Sequence, residues 1–150
     1  MSELDSEIEN YADMEYKNWI SERALEHIQA GEPISAFLKD AELPEQMIQI
    51  ITTKVALTAL GRNYCALETV LKLVRLNKNE LETLIEAWYY EVEAQYFDDV
   101  CKRNNLRFKT MEPVDMIVKR LLRMDVSKEL IADATKISID AITIIERWLR

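Results

Sequence analysis

Residues that interrupt helices are scarce in this chain: 150 residues hold two glycines and three prolines, where ordinary usage supplies several times as many. With Gly31 and Gly61 alone, no glycine-rich loop can lay backbone amides on a phosphate, which excludes nucleotide hydrolysis by a P-loop. Cysteine is as sparse. Cys65 and Cys101 are far apart, with no second Cys or His at ligand spacing, and no basic and apolar leader precedes them, so they read as reduced thiols of a cytoplasmic protein. No apolar run approaches the roughly 18 residues a membrane span needs. The expectation is a soluble protein with no membrane partner.

Titratable catalytic groups are equally thin. The single histidine, His27, follows Glu26 and has no carboxylate at i+3 or i+4, so no zinc-binding helix motif is present, and it reads as a surface or boundary side chain. Glu91 with Glu93 and Asp98 with Asp99 lie at spacings that face different ways on a helix. Glu15-Tyr16-Lys17 has the letters of a metal-nuclease motif, but that motif works from a strand and here the pattern is helical. The expectation is no enzyme, no catalytic residue, no cofactor and no metal.

What the chain does have is 49% hydrophobic content in stretches rich in Leu, Ile, Ala, Glu and Lys, a composition for helices. Leu4, Ile8, Tyr11, Trp19, Ile20, Ala24, Leu25 and Ile28 fit a 3.6-residue period and predict one long helix, or two, ending at Gly31. Pro33 opens a short helix through Phe37 and Leu38, and Pro44 opens another that stops at Gly61. Apolar positions from Tyr64 to Leu76 make the next, and Asn77 or Asn79 caps a helix expected to run from Glu80 to about Lys102. That helix carries Trp88, Tyr89, Tyr90, Tyr96 and Phe97, more aromatic surface than one face can bury, so some of it is expected at an interface. Leu106 to Glu112 reads as an extended connector or edge hairpin.

Beyond it, Pro113 starts a helix through Met116, Ile117, Arg120, Leu121 and Met124. Ser127 caps a second with Leu130 and Ile131, and Ser138 caps a third with Ala141, Ile142, Ile145 and Trp148. The fold class expected is all-α: a multi-helix bundle with a C-terminal three-helix, helix-turn-helix-like unit. Its parts are a helical region 1–105, a connector 106–112 and the C-terminal unit 113–150, or one continuous domain. Leu73-Val74-Arg75-Leu76-Asn77 echoes Leu121-Leu122-Arg123-Met124-Asp125, a pattern of shared helical hairpins rather than of duplication.

The stretch from Val118 to Ile142 resembles the helical tail of the recombination-promoting nuclease family, the PD-(D/E)XK transposase-like proteins, and also the helix-turn-helix of resolvases and transposases. The usual turn glycines are Asp125 and Lys136 here, and the nuclease catalytic domain has no counterpart upstream. The resemblance implies a non-catalytic association module, because such tails are thought to serve oligomerisation and control of the nuclease. DNA reading is disfavoured, since the third helix offers Ser138, Ile139, Asp140, Thr143 and Glu146 where a major groove demands donors.

Charge is divided unevenly. Residues 1–60 hold twelve acids and four bases, while 61–150 hold fifteen of each, giving a net charge of −8. Glu3, Asp5, Glu7, Glu9, Asp13 and Glu15 crowd the first turns, where they suit a helix N-terminus or form an acidic docking surface. Between 102 and 123 seven bases face Glu112 and Asp115, leaving a basic edge at Lys119, Arg120 and Arg123. That edge, with Ile139, Ile144 and Trp148, is the candidate partner surface. The function expected is a non-enzymatic helical interaction module that self-associates as a possible homodimer, or that regulates or inhibits a protein partner, of phage or mobile-element origin. The alternatives are a nucleic-acid-binding regulator using 102–123, and an acidic DNA mimic using the N-terminal helix; nucleic acid is the less favoured partner.

Overall fold

A computed structural model describes residues 18–108 and 114–149. Among them the secondary structure is helical, with no strand. The helices are α1 (18–29), α2 (Ser35–Asp40), α3 (Glu45–Gly61), α4 (Leu67–Val74), α5 (Lys78–Ala87), α6 (Asp98–Arg103), α7 (Val114–Arg123), α8 (Lys128–Thr135) and α9 (Ile139–Leu149). The protein is an all-α multi-helix bundle. The acidic cluster Glu3, Asp5, Glu7, Glu9, Asp13 and Glu15, the Glu15-Tyr16-Lys17 triplet and residues 109–112 of the expected connector lie outside the described residues.

The centre of the bundle is α3. Ile51, Thr52, Thr53, Val55, Ala56, Leu57, Ala59 and Leu60 are all buried, so most of the circumference of its second half is covered, with the half-buried Lys54 and Thr58 on the remaining side. Two of its threonines give their hydroxyls to main-chain acceptors: Thr53 Oγ1 donates to the Gln49 carbonyl at 2.7 Å, and Thr58 Oγ1 to the Lys54 carbonyl at 2.7 Å. Helices α4, α5 and α6 pack around it. Gly61 serves close approach here. A Cβ at that position would meet Val100 Cγ2 of α6 at 3.3 Å.

Helix ends are where the shortage of glycine is solved. Only Gly31 uses glycine in the left-handed region; Glu42, Asn63, Arg75, Glu93, Asn105, Asp125 and Lys136 adopt positive φ with side chains attached. Several close the same reversal. The amide after the left-handed residue donates five residues back, as in Leu76 to Leu71 at 3.0 Å, Leu106 to Cys101 at 2.8 Å and Val126 to Leu121 at 3.1 Å, which satisfies carbonyls left open at a helix end. Asp125 and Lys136, standing where turn glycines are usual, are both left-handed, and Lys136 closes its helix end differently, its own amide donating to Ala132 at 2.8 Å.

The helix expected from Glu80 to Lys102 is broken. It stops at Ala87, passes through turns and a 3-10 segment at Ala94–Phe97, and resumes as α6. The reason is burial. Trp88, Tyr89, Val92 and Ala94 are all buried, and one straight helix cannot turn residues at those spacings to a single side. The break also resolves the aromatic surplus: Trp88 is fully buried with Nε1 donating to Gln49 Oε1 at 3.1 Å. Tyr89 packs edge-on to Tyr90 and against Phe108 of the segment that follows α6. Tyr90 and Phe97 are half-buried and Tyr96 is exposed.

Helices α7, α8 and α9 pack on one another, and α9 also lies along α5. One hydrophobic cluster includes Val55, Leu81, Trp88, Val118, Ile131 and Ile142, so packing is continuous from the central helix to the last. Glu86 of α5 receives the Ser138 amide at 3.2 Å and its hydroxyl at 3.1 Å, while Ser138 Oγ accepts from Ala141 at 3.1 Å. The start of α9 is thereby fastened to α5.

Candidate interaction surface

On α7 successive residues turn by about 100°. Val114 and Val118 are buried; Ile117, Leu121 and Leu122 are half-buried. That inner face leaves Met116, Arg120, Arg123 and Met124 exposed together on the opposite side. Met116 and Met124 of the stretch expected after Pro113, and Leu130 of α8, are 58%, 66% and 63% exposed. Two apolar stripes run along α7, and the one meeting α8 and α9 is the one that became core.

The basic edge divides. Lys119 Nζ stands 3.7 Å from Glu91 Oε1 with both side chains largely covered, joining α7 to the turn after α5. Arg120 and Arg123 are exposed. The rest of the basic run is dispersed. Lys102 and Arg107 line an open cleft of about 910 Å³ together with Glu82, Glu86, Asp98 and Asp140, a cleft with more carboxylates than cations.

Of the other candidates, Ile139 is 44% exposed at the start of α9. Ile144 is half-buried and lines a shallow crevice with Gln49, Trp88 and Arg147, where it packs within the molecule. The Trp148 side chain is not among those described. Lys128 reaches from α8 to Glu146 of α9 at 2.9 Å. His27 sits at the end of α1 with Nδ1 2.8 Å from Glu32 Oε2 and its ring against Phe37.

The cleft gathers several chemistry-bearing groups, and two of its carboxylates are held in structural work. Glu82 accepts the Arg107 amide and Glu86 holds Ser138. The Cys101 thiol is pushed up to about 12, by burial first and by the nearby Asp98 second, so it stays protonated at neutral pH and is a poor nucleophile. Among the described residues no three His, Cys, Asp or Glu side chains converge to hold a metal, and no helix is long and apolar enough to cross a membrane. Asp98 and Asp99 part company as adjacent helical residues must, one half-buried at the cleft and the other exposed.

Comparison with family models, with curated proteins and with solved structures finds no match to this chain.

Proposed function

We propose that this chain is a non-enzymatic helical interaction module that self-associates through the outer face of α7, and that it acts as a regulator or inhibitor by occupying a partner rather than by turnover. One observation carries the reading. Met116, Arg120 and Arg123 of α7, with Met124 in the turn that follows, are exposed together on a helix whose other face is anchored in the core by Val114 and Val118. Methionine adapts its shape to a partner surface and arginine is favoured at interfaces. The resemblance of the C-terminal stretch to association tails points the same way.

Protein is favoured over nucleic acid as the partner because the basic stretch does not converge. Lys102 and Arg107 lie among carboxylates and Lys119 is paired with Glu91. The start of α9, the position of a recognition helix, meets the Glu86 carboxylate and carries Asp140, both repelling phosphate. Size-exclusion chromatography with light scattering tests the proposal. The mass should rise above 17.6 kDa with concentration, and return to the monomer value when Met116→Ser and Met124→Ser are combined. A monomer at every concentration would overturn it.

A further inference from the structure

We propose that the α7 face of one copy takes up residues 1–17 of a second copy, so that the self-association proposed above, on which this inference rests, runs head to tail. The face presents an apolar residue, two cations and an apolar residue in the order Met116, Arg120, Arg123, Met124. Its complement is a segment with carboxylates set among apolar residues at helical spacing. Residues 1–17 have that pattern: Leu4, Glu7, Ile8 and Tyr11 fall at i, i+3, i+4 and i+7, within a stretch holding six carboxylates and one lysine. The other acid-rich stretch, 80–93, is already engaged inside the fold. Glu80 closes a capping box, Glu82 and Glu86 hold Arg107 and Ser138, and Glu91 faces Lys119.

The segment leads into α1, which lines a crevice with Lys54, Val55 and Thr58 of α3, whereas α7 packs on α8 and α9; a segment folding back onto the α7 face of its own copy is the alternative, and a mass that stays monomeric at every concentration would reveal it. The face and the segment are different parts of the chain, so the contact is heterologous: it closes by reciprocal exchange between two copies or continues into longer assemblies. Mass should therefore reach at least the dimer with concentration and fall with added salt, which screens the exposed pairs.

Charge exchange in the full-length chain tests this, with circular dichroism confirming that each variant is folded. Arg120→Glu with Arg123→Glu, and separately Glu3→Arg with Glu7→Arg, should each weaken association by on the order of tenfold or more. Mixing the two variants should restore it, because the reversed face of one now meets the reversed segment of the other. Association that survives both reversals overturns the head-to-tail arrangement and leaves self-association standing. Loss in both variants without recovery on mixing overturns it too, since the segment is then not the occupant. A wild-type chain that stays monomeric overturns both proposals.

Discussion

The hairpins α4–α5 and α7–α8 are built on the same turn and put to different uses. In the first, Arg75 is left-handed at φ 57°, Leu76 follows, and Asn77 caps α5; in the second, Asp125 is left-handed at φ 59°, Val126 follows, and Ser127 caps α8. The reversal bonds match as well: Arg75 to Lys72 and Leu76 to Leu71 correspond to Asp125 to Leu122 and Val126 to Leu121. Four residues after the cap, Leu81 and Ile131 are both fully buried. The difference lies one residue earlier. Glu80 returns its carboxylate to the Asn77 amide at 3.0 Å to complete a capping box, and its counterpart is Leu130, exposed and unable to do so. The same backbone reversal followed by a side-chain cap thus starts both helices. The exposed positions show which hairpin is closed on itself and which one presents apolar surface.

Paired substitutions measure how far this equivalence goes. Leu81→Ala and Ile131→Ala each empty a fully buried site, and each should lower unfolding free energy by about 2–5 kcal/mol in urea titration. A loss under about 1 kcal/mol at Ile131 alone would mean the second hairpin is not welded to the core as the first is. Next in size are the cap positions. Glu80→Ala should cost about 1 kcal/mol, whereas Leu130→Glu should add roughly 0.5–1 kcal/mol by completing the box with Ser127; a destabilising Leu130→Glu would show that Leu130 is covered in solution. Smaller again are the left-handed residues. Arg75→Gly should gain up to about 1 kcal/mol by removing a Cβ from that region, and Asp125→Gly should gain less, because Asp tolerates it better than Arg does.

Local signals were readable in advance, and long-range choices were not. Gly31 ends α1, Pro44 and Gly61 bracket α3, and Asn77, Ser127 and Ser138 stand before their helices, because a cap or a stop is decided within about four residues. The echo between the hairpins was visible too, though its register was not: Arg75 corresponds to Asp125, two positions later than the letters suggest, since backbone reversal and not side-chain likeness defines the match. The break after Ala87 depends on α3 and Phe108 receiving Trp88 and Tyr89. Which stripe of α7 turns inward depends on α8 and α9. Lys119 was grouped with Arg120 and Arg123 by sequence, and Glu91, distant in the chain, separates it from them.

The two thiols extend the contrast between closed and open surface to pH. Cys101 is buried and its thiol is held up to about 12, above its ordinary value of 9.0, while the half-buried Cys65 is raised less. In the unfolded chain Cys101 ionises first. Stability from this group is therefore fully present below pH 9.0 and is lost as pH rises toward about 12. Cys101→Ala should flatten that alkaline decline, and in the native wild type a thiol-alkylating reagent at mildly alkaline pH should mark Cys65 well before Cys101.

Gly61 deserves its rarity for a reason unrelated to turning the chain. With a single hydrogen in place of a methyl group, it lets Val100 of α6 settle against α3, and α6 carries Asp98, Cys101 and Lys102, which form one wall of the cleft. The spacing of that wall is gauged from the opposite side of the helix, by an atom that never reaches the opening.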